Sequence, residues 1–211
     1  LASGNAVILK PARQTPLTAL KFSKLLNEAG LPVNALQCIT GSGERMGAAL
    51  CADSRVRKIT FTGSTVVGEA ITRVAGIKKV SLELGSNSAL VILPDADLAK
   101  VAEATAVGGF VNAGQVCIST QRVLAHRKIY AEFLDALKGA VNRIKVGDPM
   151  ADDTRLSSMI SAKEANRVGD WIHEAVADGA RLITGGDRQG ALFAPTVVAD
   201  VKPQMRIFSD E

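Results

Sequence analysis

Residues 58–68 read KITFTGSTVVG, and this stretch decides the fold class. The β-branched and aromatic run Lys58–Thr62 predicts a buried strand. The small residues Gly63-Ser64-Thr65 then turn the chain into a predicted helix that ends near Ala75. A strand that passes through a short glycine turn into a helix is typical of α/β proteins with parallel sheets.

The same alternation of strand and helix continues on both sides of this stretch, up to residue 84. Thr15 is the predicted N-cap of the first helix, Pro16 its first residue and Gly30 its C-cap. Four strands joined by helices predict parallel pairing with right-handed crossovers. The other predicted strands are Val7–Lys10, Ala35–Thr40 and Val80–Leu84, and a further helix follows Gly41-Ser42-Gly43 through Met46 and Leu50.

A second α/β block is predicted from about Gly85, where the pattern changes without a linker. Asp95-Ala96-Asp97 is expected to cap its first helix. The predicted strands are Leu90–Leu93, Arg122–Ala125, Arg181–Thr184 and Pro195–Val198, and the predicted helices are Leu98–Asn112, Ile129–Ile144 and Ala162–Ala177.

Composition narrows the class of protein. The 211 residues are 47% hydrophobic but only 4% aromatic, so aliphatic side chains must build the core. The net charge of +4 is small and its basic residues are dispersed, which argues against a nucleic-acid surface. Three cysteines and two separated histidines indicate neither a disulfide framework nor a metal site, and favour a reducing cytoplasm. No apolar run is long enough to span a membrane.

Both ends are interpreted as truncations. The first predicted strand begins a few residues after Leu1, and the chain stops at Glu211 with no further element to finish the block. We therefore expect an internal piece of a longer protein.

Two glycine turns could bind an anion. The backbone N–H groups at the helix start after Gly63 favour a group such as a pyrophosphate, and Ser64 could add a hydroxyl donor. A plain strand-to-helix turn with Ser64 as N-cap is the simpler alternative. Gly41-Ser42-Gly43 resembles a phosphate loop too, although shaping a turn explains it as well. Because ligands gather at the carboxyl ends of parallel strands, we expect Lys10, Gly41, Gly63 and Glu83 to share one sheet edge.

Two side chains are candidates for acid–base and nucleophilic chemistry. Glu83 lies between leucines at a strand end, where partial desolvation would suit a general base, although an exposed strand residue is the alternative. Cys117 follows Gly114 in a polar turn, where free backbone N–H groups could activate a thiol and hold an oxyanion. Cys38 and Cys51 fit small core residues, and a core cysteine is also the alternative for Cys117.

Six motifs in the same order resemble the aldehyde dehydrogenase superfamily over essentially the whole chain. Glu83 also precedes Cys117 by 34 residues, in agreement with the family pattern. The motifs are Gly4-Asn5 with Leu9-Lys10-Pro11, Gln14-Thr15-Pro16-Leu17, Glu28-Ala29-Gly30-Leu31-Pro32, Phe61-Thr62-Gly63-Ser64-Thr65, Leu82-Glu83-Leu84-Gly85 and Gly114-Gln115-Val116-Cys117.

The resemblance implies two partial domains. Residues 1–84 would be a Rossmann-like part of an NAD(P)-binding domain, and residues 85–211 part of the catalytic domain. Cys117 would attack the aldehyde to form a thiohemiacetal and then a thioester, and Glu83 would activate the hydrolytic water. An asparagine outside this chain would assist the oxyanion, and the parent would be a homodimer or homotetramer. The implied cofactor-binding residues are Lys10, Arg13, Gly43, Gly63, Ser64, Gly68, Leu84, Gly85 and Glu211, with no metal ligand.

Two departures from the family pattern refine these expectations. Arg13 stands where NAD-preferring members often carry a glutamate, and a cation there could meet a 2′-phosphate, which predicts that NADP is accepted. Gly85-Ser86-Asn87-Ser88 replaces the usual second glycine and resembles the lactaldehyde, phosphonoacetaldehyde and glyceraldehyde-phosphate branch. The retained Glu83 favours water over coenzyme A as the acyl acceptor.

Two other classes of function stay open at this point. A non-catalytic relative would serve as a structural or binding protein, although the intact Cys117 and Glu83 argue against it. A different thiol enzyme would need a histidine paired with Cys117, and His126 is the only one nearby in sequence.

Overall fold

The computed structural model describes residues 1–210, so the predicted site residue Glu211 lies outside the described residues. Contacts divide the chain into two compact units, of which the first spans Leu1–Leu84 and the second begins at Gly85. Both units mix helices with short strands, and three of the five strand pairs are parallel. The α/β prediction is confirmed. Within residues 1–210, no helix combines the length and apolarity needed to cross a membrane.

The first unit alternates strands and helices as predicted. Its elements are β1 (Val7–Leu9), α1 (Leu17–Glu28), β2 (Leu36–Cys38), α2 (Gly43–Ala52), β3 (Lys58–Thr62), α3 (Thr65–Ala75) and β4 (Lys79–Glu83). Strand β1 pairs in parallel with β2, and β3 pairs in parallel with β4. In the second pair Thr62 lies opposite Glu83, so the two strands end together.

The expected single edge for all four strand ends is not observed. Among residues 1–84 the strands form two separate two-stranded sheets, so Lys10 and Gly41 follow one pair while Gly63 and Glu83 lie at the other. Alternation of strands and helices predicts parallel pairing, but it does not determine which pairs become neighbours in a sheet.

Helix α1 begins one residue later than predicted. The N–H of Leu20 donates to the carbonyl of Pro16 at 3.1 Å, which makes Pro16 the N-cap and Leu17 the first helical residue. Thr15 is therefore not the cap. At the other end Gly30, with a φ of 95°, follows the cap residue Ala29 and stops the helix.

The second unit carries the larger core. Its main elements are β5 (Ala89–Ile92), α4 (Leu98–Phe110), β6 (Arg122–Ala125), α5 (Tyr130–Asn142), α6 (Ala162–Ala177), β7 (Arg181–Thr184), β8 (Arg188–Gln189), β9 (Leu192–Phe193), β10 (Val197–Ala199) and α7 (Arg206–Ser209). Helices α4 and α5 pack on the parallel pair β5–β6, around the fully buried Phe133 and Val141. Asp97 caps α4 as predicted, since its side chain accepts from the N–H of Lys100.

The sequence did not predict the hairpin β8–β9 or the helix α7. Each strand of the hairpin β8–β9 has two residues and helix α7 has four, so these elements are too short to show a periodic pattern. Helix α4 ends at Phe110 rather than Asn112, because the backbone beyond it leaves helical geometry.

Candidate functional site

The turn that holds Cys117 begins with an unusual backbone. Asn112 and Ala113 have φ values of 51° and 56°, and Gly114 follows with 73°. Left-handed geometry is easy for glycine but costs about 1–3 kcal/mol for other residues, and such residues cluster at functional sites. Gly114 thus adopts a left-handed backbone without strain, and the same geometry extends to the two residues before it.

The side chain of Gln115 holds this backbone in place. Its Nε2 donates to the carbonyl of Asn112 at 3.1 Å, and its Oε1 accepts from the N–H of Ile160 at 2.9 Å. The side chain of Asn112 returns a bond of 3.4 Å to the carbonyl of Gln115. One amide thus links the turn to the segment that precedes α6.

Ser119 fixes the other side of the turn. It is buried, with 6% of its surface exposed, and its hydroxyl lies 3.3 Å from the carbonyl of Gly108 and 3.2 Å from that of Gly109. Both carbonyls belong to the last turn of α4, where a helix leaves carbonyls without a partner. The N–H of Thr120 adds a bond of 3.1 Å to Gly108. The turn is therefore attached to the helix end.

Cys117 lies exposed at the tip of this turn, two residues from each of these anchors. Cys38 is half-buried and Cys51 is buried in α2. Burial raises the pKa of the Cys51 thiol, an effect that the charge of Lys78 partly opposes. Of the three cysteines, only Cys117 is exposed to solvent.

Gly63 and Glu83 meet at the carboxyl end of β3–β4. The N–H of Gly63 donates to the carbonyl of Glu83 at 3.0 Å, which extends the strand pairing by one residue. The Glu83 side chain is exposed, on the outward phase of β4. The expected desolvation is therefore not observed, because the leucines on either side of it project to the opposite face of the strand.

The start of α3 presents free backbone donors. Ser64 is its N-cap, as the simpler interpretation of the turn proposed, but its side chain makes no capping bond within the described residues. The first N–H groups of the helix therefore still point outward at its positive end. Gly68 is buried one turn later, and a Cβ there would lie 2.6 Å from Cδ2 of Leu84. Gly68 and Leu84 thus bring α3 close to the end of β4.

Three other candidate cofactor-binding residues lie far along the chain from the start of α3. The Nζ of Lys10 donates to the carbonyl of Pro11 at 2.7 Å, and Arg13 is exposed three residues further on. Gly43 is the first residue of α2, and a Cβ there would meet open space. Its neighbour Ser42 accepts from the N–H of Arg45, so this loop is a capped helix start.

The loop that opens the second unit contacts α7. Gly85 is exposed at its start, and Asn87 bonds both to Arg122 at the start of β6 and to the carbonyl of Phe208. Sequence reasoning did not single out Gln115, Ser119, Arg122 or Asn87 as functional residues. Polar side chains that bond to distant backbone groups carry no periodic signal.

The described residues offer neither a metal site nor a histidine partner for Cys117. Within residues 1–210, no group of three or more His, Cys, Asp or Glu side chains could hold a metal ion. The Nδ1 of His126 accepts from the N–H of Lys128 at 3.2 Å. Strand β6 separates His126 from the Cys117 turn, and its four residues span roughly 13 Å.

Comparison with known proteins identifies the family. The family model described as "Aldehyde dehydrogenase family" matches residues 1–211. The chain is 47% identical over 211 residues to 3-sulfolactaldehyde dehydrogenase of Priestia aryabhattai, and covers 100% of itself and 44% of that protein.

Solved structures share the fold. NADP-dependent glyceraldehyde-3-phosphate dehydrogenase of Bacillus halodurans C-125, complexed with NADP, aligns with a TM-score of 0.95 and 36% identity over 98% of this chain and 43% of its own. A mutant of aldehyde dehydrogenase C from Pseudomonas syringae, complexed with NAD+ and octanal, aligns with a TM-score of 0.95 and 33% identity, over 100% and 45% of the two chains. The chain thus spans less than half the length of these relatives. It belongs to the aldehyde dehydrogenase family.

Proposed function

We propose that the protein containing this chain oxidises an aldehyde to a carboxylic acid with NAD(P)+ and water. The observation that carries the proposal is the exposed Cys117 at the tip of a turn with left-handed backbone, anchored on both sides. A nucleophile needs access to its substrate together with a defined orientation, and this turn supplies both.

Cys117 is the proposed nucleophile. Its thiolate sulfur would form a C–S bond with the aldehyde carbon, and its own backbone N–H is a donor for the developing oxyanion. Bound NAD(P)+ would supply the hydride acceptor that turns the thiohemiacetal into a thioester. The carboxylate of Glu83 would then take a proton from water as the oxygen attacks the thioester, and breaking the C–S bond releases the acid and the thiolate.

Two features of the first unit support the proposal that it binds a dinucleotide. The uncapped N-terminus of α3 can accept a pyrophosphate next to the exposed Gly63 and Ser64. Gly68 allows the close packing of helix and strand that such sites use. We therefore propose that residues 1–84 belong to the cofactor domain and that residues 85–211 belong to the catalytic domain. The other proposed contacts of the cofactor are Lys10, Gly43, Leu84, Gly85 and Glu211.

We propose that the enzyme accepts NADP. Arg13 is exposed three residues after Lys10, and a guanidinium can bind a 2′-phosphate through two parallel bonds. One structural relative is complexed with NADP and another with NAD+, so the family fold accommodates both. The full-length enzyme should retain substantial kcat/KM with NADP, and Arg13→Glu should shift the ratio toward NAD. A strong NAD preference of the unaltered enzyme would contradict this assignment.

A small polar aldehyde is the proposed substrate class. The Gly85-Ser86-Asn87-Ser88 variant resembles the lactaldehyde branch, and the relative from Priestia is named for 3-sulfolactaldehyde. Assays of the full-length enzyme with short hydroxyaldehydes and with octanal would separate this class from long apolar aldehydes.

The nucleophile assignment is tested by iodoacetamide labelling of the full-length protein. Cys117 should react well before Cys38 and Cys51, because it alone is exposed. Cys117→Ala should abolish aldehyde oxidation, while Cys38→Ala serves as the matched control. Glu83→Gln should permit thioester formation and slow its hydrolysis, so that acyl-enzyme accumulates. Equal reactivity of the three thiols would sink the proposal, and an inactive parent would favour a non-catalytic relative.

A further inference from the structure

A pocket lies beside the turn that holds Cys117, and the proposed function gives it no role. Its volume is about 220 Å³. Asn112 and Ala113, the two left-handed residues before Gly114, line it. The rest of the lining comes from the loop that leads to α6, through Pro149 and residues 154–158.

The size of the pocket limits what it can hold. A water molecule occupies roughly 30 Å³ in the liquid, so the pocket has room for about seven waters. Sites for cofactors and drug-sized ligands are larger, at about 300–1,000 Å³. The pocket is therefore too small for a dinucleotide, but it can hold a small ion with part of its hydration.

The side chains around the pocket offer hydrogen-bond donors that the protein itself does not use. The Nη1 of Arg155 donates to the carbonyl of Asp152 at 3.2 Å, and within residues 1–210 no carboxylate pairs with this guanidinium. A guanidinium has five N–H donors, so most of them stay available. Three hydroxyls that line the pocket also lack a partner in the described part of the chain, those of Thr154, Ser157 and Ser158.

The acidic residues of the same loop are not part of the lining. Asp153 pairs with Lys145, and Oδ1 of Asp148 accepts from a backbone N–H two residues further on at 2.9 Å. Asp152 bonds to Arg155 through its carbonyl rather than its carboxylate. Among the described lining residues the one charged side chain is therefore that of Arg155, which favours an anion over a cation.

Backbone bonds hold the loop in place before any ligand binds. The N–H of Leu156 donates to the carbonyl of Lys145 at 3.1 Å, and its own carbonyl accepts from Gly147 at 3.0 Å. The Leu156 side chain is buried, with 3% of its surface exposed. Further on, Ile160 bonds to Gln115 of the Cys117 turn. The donors on this loop thus need little ordering to meet a ligand, which lowers the cost of binding.

We propose that this pocket binds a tetrahedral oxyanion, such as inorganic phosphate or sulfate, with Arg155 as its charged contact. A planar guanidinium can donate two parallel bonds to such an ion, and the hydroxyls of the loop donate to its other oxygens. Because Asn112 and Ala113 line the pocket, the bound ion lies against the turn of Cys117 and stabilises it. This inference goes beyond the proposed function and does not depend on it.

The test is phosphate binding by the full-length protein, located by amide hydrogen exchange. Exchange is followed in residues 111–115 and 153–158 as phosphate replaces chloride at constant ionic strength. Arg155→Gln removes the guanidinium, and Arg155→Lys keeps the charge without the fork. Arg188→Gln is the matched control, because Arg188 is also exposed and its Nη1 also donates to a backbone carbonyl, that of Gly190 at 3.1 Å.

Phosphate should slow exchange in both segments with a Kd on the order of 1 mM, and sulfate should act in the same way. Arg155→Gln should raise this Kd about tenfold, because charge-assisted hydrogen bonds are lost. Arg155→Lys should raise it by a smaller factor, and Arg188→Gln should match the unaltered protein. Phosphate bound at the proposed cofactor site in residues 1–84 would not protect these two segments.

Unchanged exchange in both segments, at phosphate concentrations well above the expected Kd, would overturn the inference. An equal Kd in Arg155→Gln and in the unaltered protein would also overturn it. Equal weakening by Arg188→Gln would show unspecific attraction of anions instead of a site. Failure of the unaltered enzyme to oxidise aldehyde is a different result, because it removes the proposed function and leaves this inference standing.

Discussion

The backbone N–H of Ile160 donates to Oε1 of Gln115 across 2.9 Å, so the segment ahead of α6 is joined to the turn that holds Cys117. The same side chain donates to Asn112, whose backbone is left-handed. One amide thereby uses both its donor and its acceptor to fix the turn that holds Cys117. A side chain whose amide both donates and accepts a hydrogen bond cannot be replaced by a group that only donates or only accepts.

Replacing Gln115 should reduce the reactivity of Cys117 more than the stability of the fold. Gln115→Ala in the full-length enzyme leaves the N–H of Ile160 and the carbonyl of Asn112 without this partner, so the left-handed backbone can relax. We expect a fall of about tenfold in kcat and in the iodoacetamide labelling rate. Gln121→Ala, at an exposed position on the other side of Cys117, is the matched control. Unchanged labelling in Gln115→Ala would contradict this role.

Ser119→Ala should destabilise the protein. The substitution leaves the carbonyls of Gly108 and Gly109 without the hydroxyl that now reaches both. The carbonyl of Gly108 keeps its bond from the N–H of Thr120, but that of Gly109 loses its hydroxyl donor, so the free energy of unfolding should fall by about 1–3 kcal/mol. Urea denaturation of the full-length protein measures it, with the exposed Ser158→Ala as control. Equal midpoints for the two variants would show that the buried hydroxyl contributes nothing.

Gly68→Ala should lower stability, whereas Gly43→Ala should not. A Cβ at position 68 would meet Leu84 at 2.6 Å, so the leucine must move, at a cost of about 1–3 kcal/mol. A Cβ at position 43 meets open space, and alanine favours the helix.

A double substitution separates this steric effect from a change in helix propensity. In Gly68→Ala/Leu84→Ala the clash is absent, so the combined loss should be smaller than the sum of the two single losses. Thermal denaturation of the four proteins checks this, and simple additivity would exclude a direct contact between the two positions.

Asp200 should make stability depend on acidic pH. Its pKa is lowered by the hydrogen bond from Tyr130, at 2.6 Å, and then by that from Arg181, at 3.0 Å. A depressed folded-state pKa means that the carboxylate stabilises the fold above the unfolded pKa of about 4, and that this contribution disappears as the pH falls through the folded-state value. The side chain is partly exposed, so the contribution is about 1 kcal/mol or less.

Asp200→Asn is a suitable test because asparagine also tolerates the φ of 59° at this position. The difference in melting temperature between the unaltered protein and this variant should shrink as the pH falls from 7 toward 3. A difference that stays constant with pH would show that the charge of Asp200 does not stabilise the fold.

Local patterns determined most of the elements of this chain. Strands β3, β6 and β7 and helix α6 begin and end where the sequence predicts, and α3 ends where it predicts, because each has a clear periodicity and a turn or cap at its ends. Pairing between strands was less predictable. Each parallel pair joins strands that are consecutive in the chain, β1 with β2 and β3 with β4. The arrangement of the two pairs depends on packing between elements.

The burial of the candidate residues could be determined only from the structure. Cys38 and Cys51 are partly or fully buried as predicted, and Cys117 is exposed. Glu83 is exposed although leucines flank it, because alternation along β4 places it on the opposite face from them. In a strand, apolar residues on either side of a side chain therefore do not indicate that the side chain is desolvated.

By itself the sequence determined the α/β class, the family and the position of Cys117 in a polar turn, since these depend on local composition, spacing and motif order. Only the tertiary structure decided how that turn is held. The bonds from Gln115 to Ile160 and from Ser119 to the end of α4 join residues far apart in the chain. Such bonds form only after packing brings the groups within hydrogen-bonding distance, so no periodicity or spacing in the sequence encodes them.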